Sequence, residues 1–214
     1  VPVTLSAHGC FRIVLDAGEL TTAYFKLGLW GGKDSKITIC YAESYVKETK
    51  GNTEKGIRDD TSGFIRGHED VYIASGRDEE YETFWFRTFR FVQIDIDTGG
   101  KSLTFKPPEF LETGYPIDIK SDLSSTQDWV KGVWDISLRT LKRCMHETYE
   151  DCPYYEQLQY MMDTRSQILF TYMLSRDTRL AEKAMIDFHS SLMPNGLLQS
   201  RYPSNEPQVI PIFN

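Results

Sequence analysis

The sequence predicts a β-sandwich over residues 1–120 followed by an all-α segment over residues 121–214. Three observations support this fold class. Short runs rich in β-branched and aromatic residues alternate in polarity through the first part and end at glycine-bearing turns. From about residue 120, apolar residues recur every three or four positions, which is the period of an amphipathic helix. The stretch 121–125, Ser-Asp-Leu-Ser-Ser, offers helix N-cap residues at the change of texture.

Six strands are predicted in the first part, and short strands at this spacing are typical of an antiparallel sandwich. They cover residues 10–16, 24–30, 36–41, 70–74, 84–96 and 102–106. The charged, glycine-bearing stretch 43–67 is interpreted as a long loop or an irregular hairpin. Trp85, Phe86 and Arg90 are assigned to sheet core and interdomain packing rather than to a sugar platform.

The first predicted helix follows an apolar stripe and ends near His146. The stripe contains Trp129, Val133, Ile136, Thr140 and Cys144. Together with two further helices it does not make a complete bundle. Its apolar face is therefore expected to pack either on the sandwich or on helices outside this sequence.

The second predicted helix begins at Asp163 or Thr164 and runs to about Ser175, and the third begins at Asp177. Both aspartates precede Thr-Arg, so each is predicted to be an N-cap. Residues 194–196, Pro-Asn-Gly, are expected to close this pair of helices.

The charge balance argues against a nucleic-acid partner. The formal net charge is −7 and the pI about 5.2, whereas phosphate binding needs clustered Lys and Arg. The sequence contains no run of eighteen apolar residues, so no membrane span is predicted. The beginning has neither a basic start nor a long apolar stretch, so no signal peptide is predicted. Both ends are expected to be cuts through a longer protein, and localisation is left open.

The four cysteines are interpreted mainly as free buried thiols. They lie at positions 10, 40, 144 and 152, with no Cys-x-x-Cys pair. A zinc site is weakly indicated, by His146 near Cys144 alone, and no metal is predicted. One disulfide, Cys10–Cys40 or Cys144–Cys152, stays an open alternative.

The segment 147–163 between the first two helices concentrates acidic and aromatic residues. It holds four acids before Asp163 and four tyrosines. Sugar hydrolysis needs one carboxylic acid to protonate the leaving oxygen and a second carboxylate to activate water or attack. Aromatic faces stack on sugars, and apolar neighbours keep an acid protonated. Acid-rich loops are more often simply solvated, so the residues alone only suggest catalysis.

The same segment resembles a family signature. Asp151-Cys-Pro-x-x-Glu156, followed seven residues later by Asp163 and then Thr-Arg-Ser-Gln, is similar to the start of the (α/α)6 barrel of family 78 α-L-rhamnosidases. Residues 188–203 look like the next piece of that barrel. Residues 41–44, 67–72 and 84–91 are similar to the β-sandwich before it. The resemblance implies a β-sandwich joined to the beginning of a catalytic (α/α)6 barrel.

One departure narrows the choice of the acid. Many members of the family carry adjacent acids in this segment, whereas this sequence has Tyr-Tyr-Glu-Gln-Leu-Gln-Tyr over 154–160. Glu156 is therefore the candidate general acid implied by the resemblance; the alternative is a surface glutamate on a loop.

The resemblance also implies substrate-binding residues. Asp151 would bind rhamnose hydroxyls or orient the acid, or else serve as a turn residue before proline. Asp163 would reach the sugar as well as capping a helix. Tyr160 would stack on the sugar, against core packing as the alternative. Weaker candidates for lining the pocket are the pair Tyr154 and Tyr155 and the pair Arg201 and Tyr202. His189 is interpreted as a structural helix residue.

The mechanism implied by the family is inversion, without a cofactor. The general base is expected beyond residue 214, so this piece alone is expected to be inactive. The implied partners are a rhamnose-containing glycoside and the remainder of the same polypeptide.

Three alternatives stay open: a non-catalytic sugar-binding sandwich, a structural linker domain, and a different (α/α)6 glycosidase or lyase on the same scaffold.

Overall fold

The computed structural model describes residues 1–213, and the chain divides into two compact units, Val1–Thr113 and Gly114–Asn214. The first unit is built of antiparallel strands. They are β1 (Val3–Leu5), β2 (Cys10–Gly31), β3 (Lys36–Ala42), β4 (Tyr45–Thr49), β5 (Asn52–Lys55), β6 (Phe64–Ile65), β7 (His68–Ile73), β8 (Asp78–Glu82), β9 (Arg87–Asp97), β10 (Leu103–Phe105) and β11 (Glu109–Glu112).

The long strand β2 organises the sandwich. Its first part pairs with β9, and its last part pairs with β8 on one side and with β11 and β10 on the other. Strands β3 and β7 extend the sheet beyond β9, and β5, β4 and β6 form a separate small sheet. Within residues 1–213, four strands therefore pair with β2, and buried residues from β2, β3, β9 and β10 belong to one apolar cluster.

The alternation seen in the sequence is the alternation of burial in the sandwich. Strand β2 buries every second residue from Ala23 to Leu29, and β9 buries Val92, Ile94 and Ile96. The same buried cluster includes Ile37, Ile39 and Tyr41 of β3, Leu103 and Phe105 of β10, and Phe89 of β9. Such a period of two places one set of side chains on the core face.

Two of the predicted strands, 10–16 and 24–30, are one continuous strand, so the predicted break near Gly18 is wrong. The pairing with β9 shifts register between Asp16 and Thr21 instead. Gly18 has φ +80°, and its N–H donates to Asp16 Oδ1 at 2.7 Å. A positive-φ glycine is typical of a bulge as well as of a turn, and here it kinks the strand without ending it.

Elsewhere in the first unit the predictions hold more closely. The stretch 43–67 contains the hairpin of β4 and β5 and the short β6, as the hairpin alternative expected. The run predicted to begin at residue 84 becomes a strand at Arg87, and Phe84 is 97% exposed. Phe86 is buried, whereas Trp85 is partly exposed and packs on the Phe86 ring.

The helices of the second unit are α1 (Asp128–Arg143), α2 (Met161–Leu174) and α3 (Arg179–Ser190), followed by a single 3-10 turn at Pro211–Phe213. The predicted start of α1 at 121–125 is wrong. The N–H groups of Lys120 and Ser121 donate to the carbonyl of Leu174, at 2.8 and 3.3 Å. These hydrogen bonds tie residues 120–121 to the end of α2, and α1 begins after them, at Asp128. Helix α1 also ends three residues before His146.

The predicted N-caps are corrected as well. Tyr160, not Asp163, is the N-cap of α2, and Asp163 lies within the first turn. Thr178 is the N-cap of α3, yet Asp177 Oδ1 accepts the N–H of Arg179 at 3.1 Å and so satisfies one of the first donors of the helix.

The helical unit has a small core and broad exposed apolar faces. Leu141, Met145, Tyr149, Leu174, Leu180 and Ala184 form the buried cluster, against which Tyr115, Ile117 and Ile119 pack. Most of the predicted stripe of α1 is exposed: Trp129, Val133 and Ile136. The same holds for Leu169, Tyr172 and Met173 of α2.

Other expectations concern thiols and membranes. Across residues 1–213 all four cysteines are free, with Cys40 and Cys144 buried, so neither alternative disulfide forms; Cys10 is exposed and Cys152 partly so, against the expectation of burial. In the same part of the chain no helix is long and apolar enough to span a membrane.

Candidate active site

The candidate acid lies on a loop closed by its own hydrogen bonds. The N–H of Asp151 donates to the carbonyl of Leu158 at 2.9 Å, and the N–H of Leu158 donates to Asp151 Oδ1 at 3.0 Å. Within the loop, Gln157 adopts φ +55° and its side-chain amide donates to the carbonyl of Pro153 at 2.8 Å. These bonds define the loop's conformation and leave Glu156 at its exposed surface.

A buried pair anchors the beginning of this loop. His146 Nδ1 lies 3.0 Å from Glu150 Oε1, and both side chains are 5% exposed. The N–H of Glu150 donates to the carbonyl of Cys144 at 2.8 Å, and Gln167 Nε2 donates to the carbonyl of Glu150 at 2.7 Å. The residue before Asp151 is thus tied to the end of α1 and to α2.

Glu156 has one close side-chain partner. The Tyr160 hydroxyl donates to Glu156 Oε2 at 2.6 Å. This hydrogen bond raises the pKa of Tyr160, burial raises it further, and nearby Arg201 opposes the increase. Tyr160, Glu156 and Arg201 therefore form one connected polar group.

The two other predicted carboxylates lie in the same electrostatic neighbourhood. Partial burial raises the pKa of Asp163, and the negative charges of Asp151 and Glu156 raise it further. Burial, with Glu150 and its acidic neighbours, raises the pKa of the Cys144 thiol to about 12, which makes this cysteine an inert core residue. Asp151 and Glu156 thus lie close enough to Asp163 to influence its protonation.

A second segment, residues 200–202, pairs with residues 159–161 beside the acidic loop. Tyr160 and Arg201 are opposed in an antiparallel bridge. The N–H of Tyr202 donates to the carbonyl of Gln159 at 3.1 Å, and the N–H of Met161 donates to the carbonyl of Ser200 at 2.9 Å. This pairing places Arg201, predicted from the sequence as a pocket residue, beside Tyr160.

Gln159, Glu150 and Gln167 support the site, and the sequence did not single them out. Gln159 is buried, and its amide donates to the carbonyl of Tyr202 at 2.8 Å and to Asp187 at 3.1 Å. A glutamine beside the motif carries no charge or periodicity that marks it. Its role depends on a segment forty residues later in the chain, so no local signal could have revealed it.

The remaining candidates lie at the edges of this arrangement. Tyr155 is 64% exposed and packs edge to face on the buried Tyr154, with ring centroids 4.8 Å apart. His189 lines a shallow apolar groove between α2 and α3, as a structural helix residue can. Arg90 pairs with Asp16 and Asp59 in the sandwich unit, far in sequence from the acids.

An apolar groove of about 480 Å³ runs between α1 and α2. Asp151 and Gln167 contribute polar groups to its lining, which otherwise includes Trp134, Leu138 and Phe170. Residues 1–213 contain no cluster of His, Cys, Asp and Glu that could hold a metal ion. The polar chemistry of the unit lies instead in the carboxylates of the loop, beside a phenol and a guanidinium.

Family models match almost the entire chain. The bacterial alpha-L-rhamnosidase concanavalin-like domain matches residues 9–121, more than half of the sequence. The chain belongs to the bacterial α-L-rhamnosidase family. The family's 6 hairpin glycosidase domain matches residues 118–212, which contain the whole acidic loop. The fold class predicted from the sequence, a sandwich followed by the start of a helical domain, is confirmed.

Solved rhamnosidases share the fold. A GH78 family rhamnosidase of Bacillus sp. GL1 aligns with a TM-score of 0.80 and 21% identity over 99% of this chain and 21% of its own. A rhamnosidase from Klebsiella oxytoca, solved with rhamnose bound, aligns with a TM-score of 0.75 and 15% identity, over 97% of this chain and 41% of its own. An α-L-rhamnosidase from Dictyoglumus thermophilum aligns with a TM-score of 0.66 and 17% identity, over 96% of this chain and 23% of its own.

The sequence thus spans between 21% and 41% of the length of these rhamnosidases. Comparison with curated protein sequences gives no match.

Proposed function

We propose that the polypeptide containing this chain hydrolyses terminal α-L-rhamnosides with inversion, and that Glu156 is its general acid. The observation that carries the proposal is the position of Glu156, an exposed carboxyl on a loop closed by Asp151 and hydrogen-bonded to Tyr160. Membership of the rhamnosidase family supplies the reaction class.

In the proposed reaction Glu156 gives its proton to the glycosidic oxygen as the bond between that oxygen and the anomeric carbon breaks, and the aglycone leaves as an alcohol. A water attacks the anomeric carbon from the opposite face and gives its proton to a second carboxylate, the general base. In inverting enzymes the two carboxyl groups stand about 6.5–9.5 Å apart, which leaves room for that water.

Asp151 and Asp163 are proposed to accept hydrogen bonds from rhamnose hydroxyls. Asp151 Oδ1 already holds the loop through Leu158, so its second oxygen is proposed to face the sugar. The raised pKa of Asp163 means that this group binds a proton more readily beside the other acids, and it can then donate as well as accept. Tyr155 has the exposed ring that stacking on a sugar requires, and Arg201 is proposed to line the pocket.

The general base is proposed to be supplied by sequence beyond residue 214, which leaves residues 1–214 inactive alone. The chain covers 21% to 41% of the lengths of the two rhamnosidases with the highest TM-scores described above, in keeping with this proposal. The purified 214-residue chain is expected to release no aryl alcohol from an aryl α-L-rhamnoside above the buffer rate. Turnover at the rate of the complete polypeptide would contradict the assignment of the base.

The role of Glu156 is tested by Glu156→Gln in the complete polypeptide. A glutamine cannot donate an acid proton, so hydrolysis of a rhamnoside with a poor leaving group should fall about 10²–10⁴-fold. A dinitrophenyl rhamnoside, whose leaving group needs no proton, should lose less than about tenfold. Glu147→Gln, an exposed acid of the same loop, serves as the matched control. Equal losses on both substrates would remove Glu156 from the acid role.

A further inference from the structure

We infer that Tyr160 is a positioning residue for the candidate acid: its hydroxyl occupies Glu156 Oε2, so that the transferable proton is carried on Oε1. This inference rests on the proposed role of Glu156 as the acid. It replaces the predicted stacking role of Tyr160 with one in which the hydroxyl, not the ring face, matters.

The backbone of Tyr160 is held from several directions. Its carbonyl accepts the N–H of Thr164 at 2.9 Å as the N-cap of α2, and its main chain is opposed by that of Arg201. The neighbouring residues Gln159 and Met161 are bonded to the 200–202 segment. The ring therefore starts from a defined position, and its edge meets the Phe213 ring with centroids 6.1 Å apart.

The acid is held just as definitely on its own side. The closed loop sets the position of Glu156, and its N–H lies 3.4 Å from Cys152 Sγ. The distance of 2.6 Å between the Tyr160 hydroxyl and Glu156 Oε2 is that of a short, well-formed O–H···O hydrogen bond. Such a bond needs both partners in place before the substrate arrives, which is the condition for a positioned acid.

The hydrogen bond decides which oxygen carries the proton. A hydrogen already directed at Oε2 disfavours a second proton on that atom, so the protonated acid presents Oε1 to the glycosidic oxygen. When the proton leaves, Glu156 becomes negative and the same bond from Tyr160 strengthens. The interaction thus grows along the reaction, and an interaction that grows toward the transition state lowers the barrier.

Tyr160 remains the donor throughout. The adjacent carboxylate raises the pKa of Tyr160, so the phenol keeps its own proton at neutral pH. Arg201 also interacts with Tyr160 and lowers its pKa in opposition to Glu156, while its guanidinium lies 3.6 Å from Glu206 Oε2.

The test is Tyr160→Phe in the complete polypeptide, which removes the hydroxyl and keeps the ring. The kcat on a rhamnoside with a poor leaving group should fall about 10–100-fold, the size expected for the loss of one hydrogen bond to a charged group. The KM should change less than about twofold, and kcat on the dinitrophenyl rhamnoside should stay within about twofold of the parent. Tyr172→Phe removes an exposed hydroxyl from α2 and is the matched control.

Each other outcome overturns the inference. If Tyr160→Phe is fully active while Tyr160→Leu loses binding, the ring stacks on the sugar as the sequence predicted. If Tyr160→Phe lowers kcat equally on both rhamnosides, the hydroxyl stabilises the fold and does not act on the acid. Glu156→Gln separates the two proposals. If Glu156→Gln loses activity selectively on the poor leaving group while Tyr160→Phe has no effect, only the positioning role of Tyr160 is wrong. If Glu156→Gln shows no such selective loss, the proposed function itself is wrong.

A measurement without turnover checks the contact itself. In the 214-residue chain labelled with 13C-tyrosine, the Tyr160 resonance should titrate at lower pH in Glu156→Gln than in the parent, because a neutral amide no longer opposes the phenolate. An unchanged midpoint would show that the hydrogen bond does not form, and the inference would fail whatever the kinetics.

Discussion

At the scale of single residues, carboxylates perform two different tasks in the helical unit. Glu156 lies at the surface of its loop, where a substrate can reach it. The Asp177 side chain is instead mostly buried, and its oxygens are occupied by hydrogen bonds. Asp177 accepts the hydroxyl of Tyr115 at 2.8 Å and the guanidinium of Arg179 at 2.6 Å. The first arrangement leaves a reactive group accessible, and the second stabilises the start of α3.

Replacing Asp177 with Ala should destabilise the helical unit by about 1 kcal/mol, the usual cost of losing a side-chain acceptor at a helix N-terminus. The Arg179 guanidinium holds the pKa of Asp177 below its ordinary value, so the unfolded chain binds this proton more readily. The contribution is therefore present above about pH 4 and is lost as the pH falls through the lowered pKa.

The measurement is thermal unfolding of the 214-residue chain at pH 7 and in steps down to pH 2, followed by far-ultraviolet circular dichroism. The difference between Asp177→Ala and the parent should shrink in the acid range. Asp118→Ala removes an exposed partner of Lys120 and should stay within about 0.5 kcal/mol. A constant difference at every pH would mean that the charge of Asp177 contributes nothing.

The site residues were predictable to different degrees for physical reasons. Glu156 and Asp151 could be named because they lie in a segment that resembles the family signature, whereas an acid-rich loop by itself only suggested catalysis. The Tyr160–Glu156 hydrogen bond could not, because it depends on a loop that turns at the positive φ of Gln157, and an i, i+4 spacing outside a helix predicts no contact. The pairing of Arg201 with Tyr160 required the later segment to be in place.

At the scale of elements, strands were easier to predict than helix ends. In β3 and β9 the alternation of side chains is the alternation of burial, so the sequence pattern carries the structure directly. The start of α1 was decided instead by hydrogen bonds from residues 120–121 to the end of α2. Tertiary contacts of that kind override local N-cap residues.

Two glycines test the elements with opposite expected signs. Gly132 lies in α1 with nothing within 4 Å of an added Cβ, so Gly132→Ala should stabilise the helical unit by about 1 kcal/mol through the helix propensity of Ala. Gly18 has equal space but φ +80°, so Gly18→Ala should destabilise the sandwich by about 1–2 kcal/mol through backbone strain alone.

Urea unfolding of both variants measures the pair, with ellipticity at 222 nm following the helices and Trp fluorescence following the chain as a whole. Because neither new methyl group meets a neighbour, packing cannot account for a difference between them. A stabilising Gly18→Ala would mean that β2 does not need its positive-φ bulge, and the description of β2 as one kinked strand would have to be revised.

At the scale of the whole molecule, the two units differ in how completely each buries its own apolar residues. The sandwich encloses a large cluster that includes Phe25, Ile39 and Ile94, with several side chains at or near zero exposure. The helical unit leaves Trp129, Met173 and other large side chains open. Apolar area removed from water is the main favourable term in folding, so the units should differ in their ability to fold alone.

Residues 1–113 expressed alone should therefore form a cooperative β domain, and residues 114–214 alone should not. The first piece should unfold in one sharp transition and bind little of the dye ANS. The second should retain helical ellipticity, bind ANS strongly and unfold over a broad range, as chains with exposed apolar faces and loose packing do. Dye binding by the intact 214-residue chain provides the reference. Broad unfolding of residues 1–113, or sharp unfolding of residues 114–214 without dye binding, would contradict the inference that the sandwich core is self-sufficient and the three helices are not.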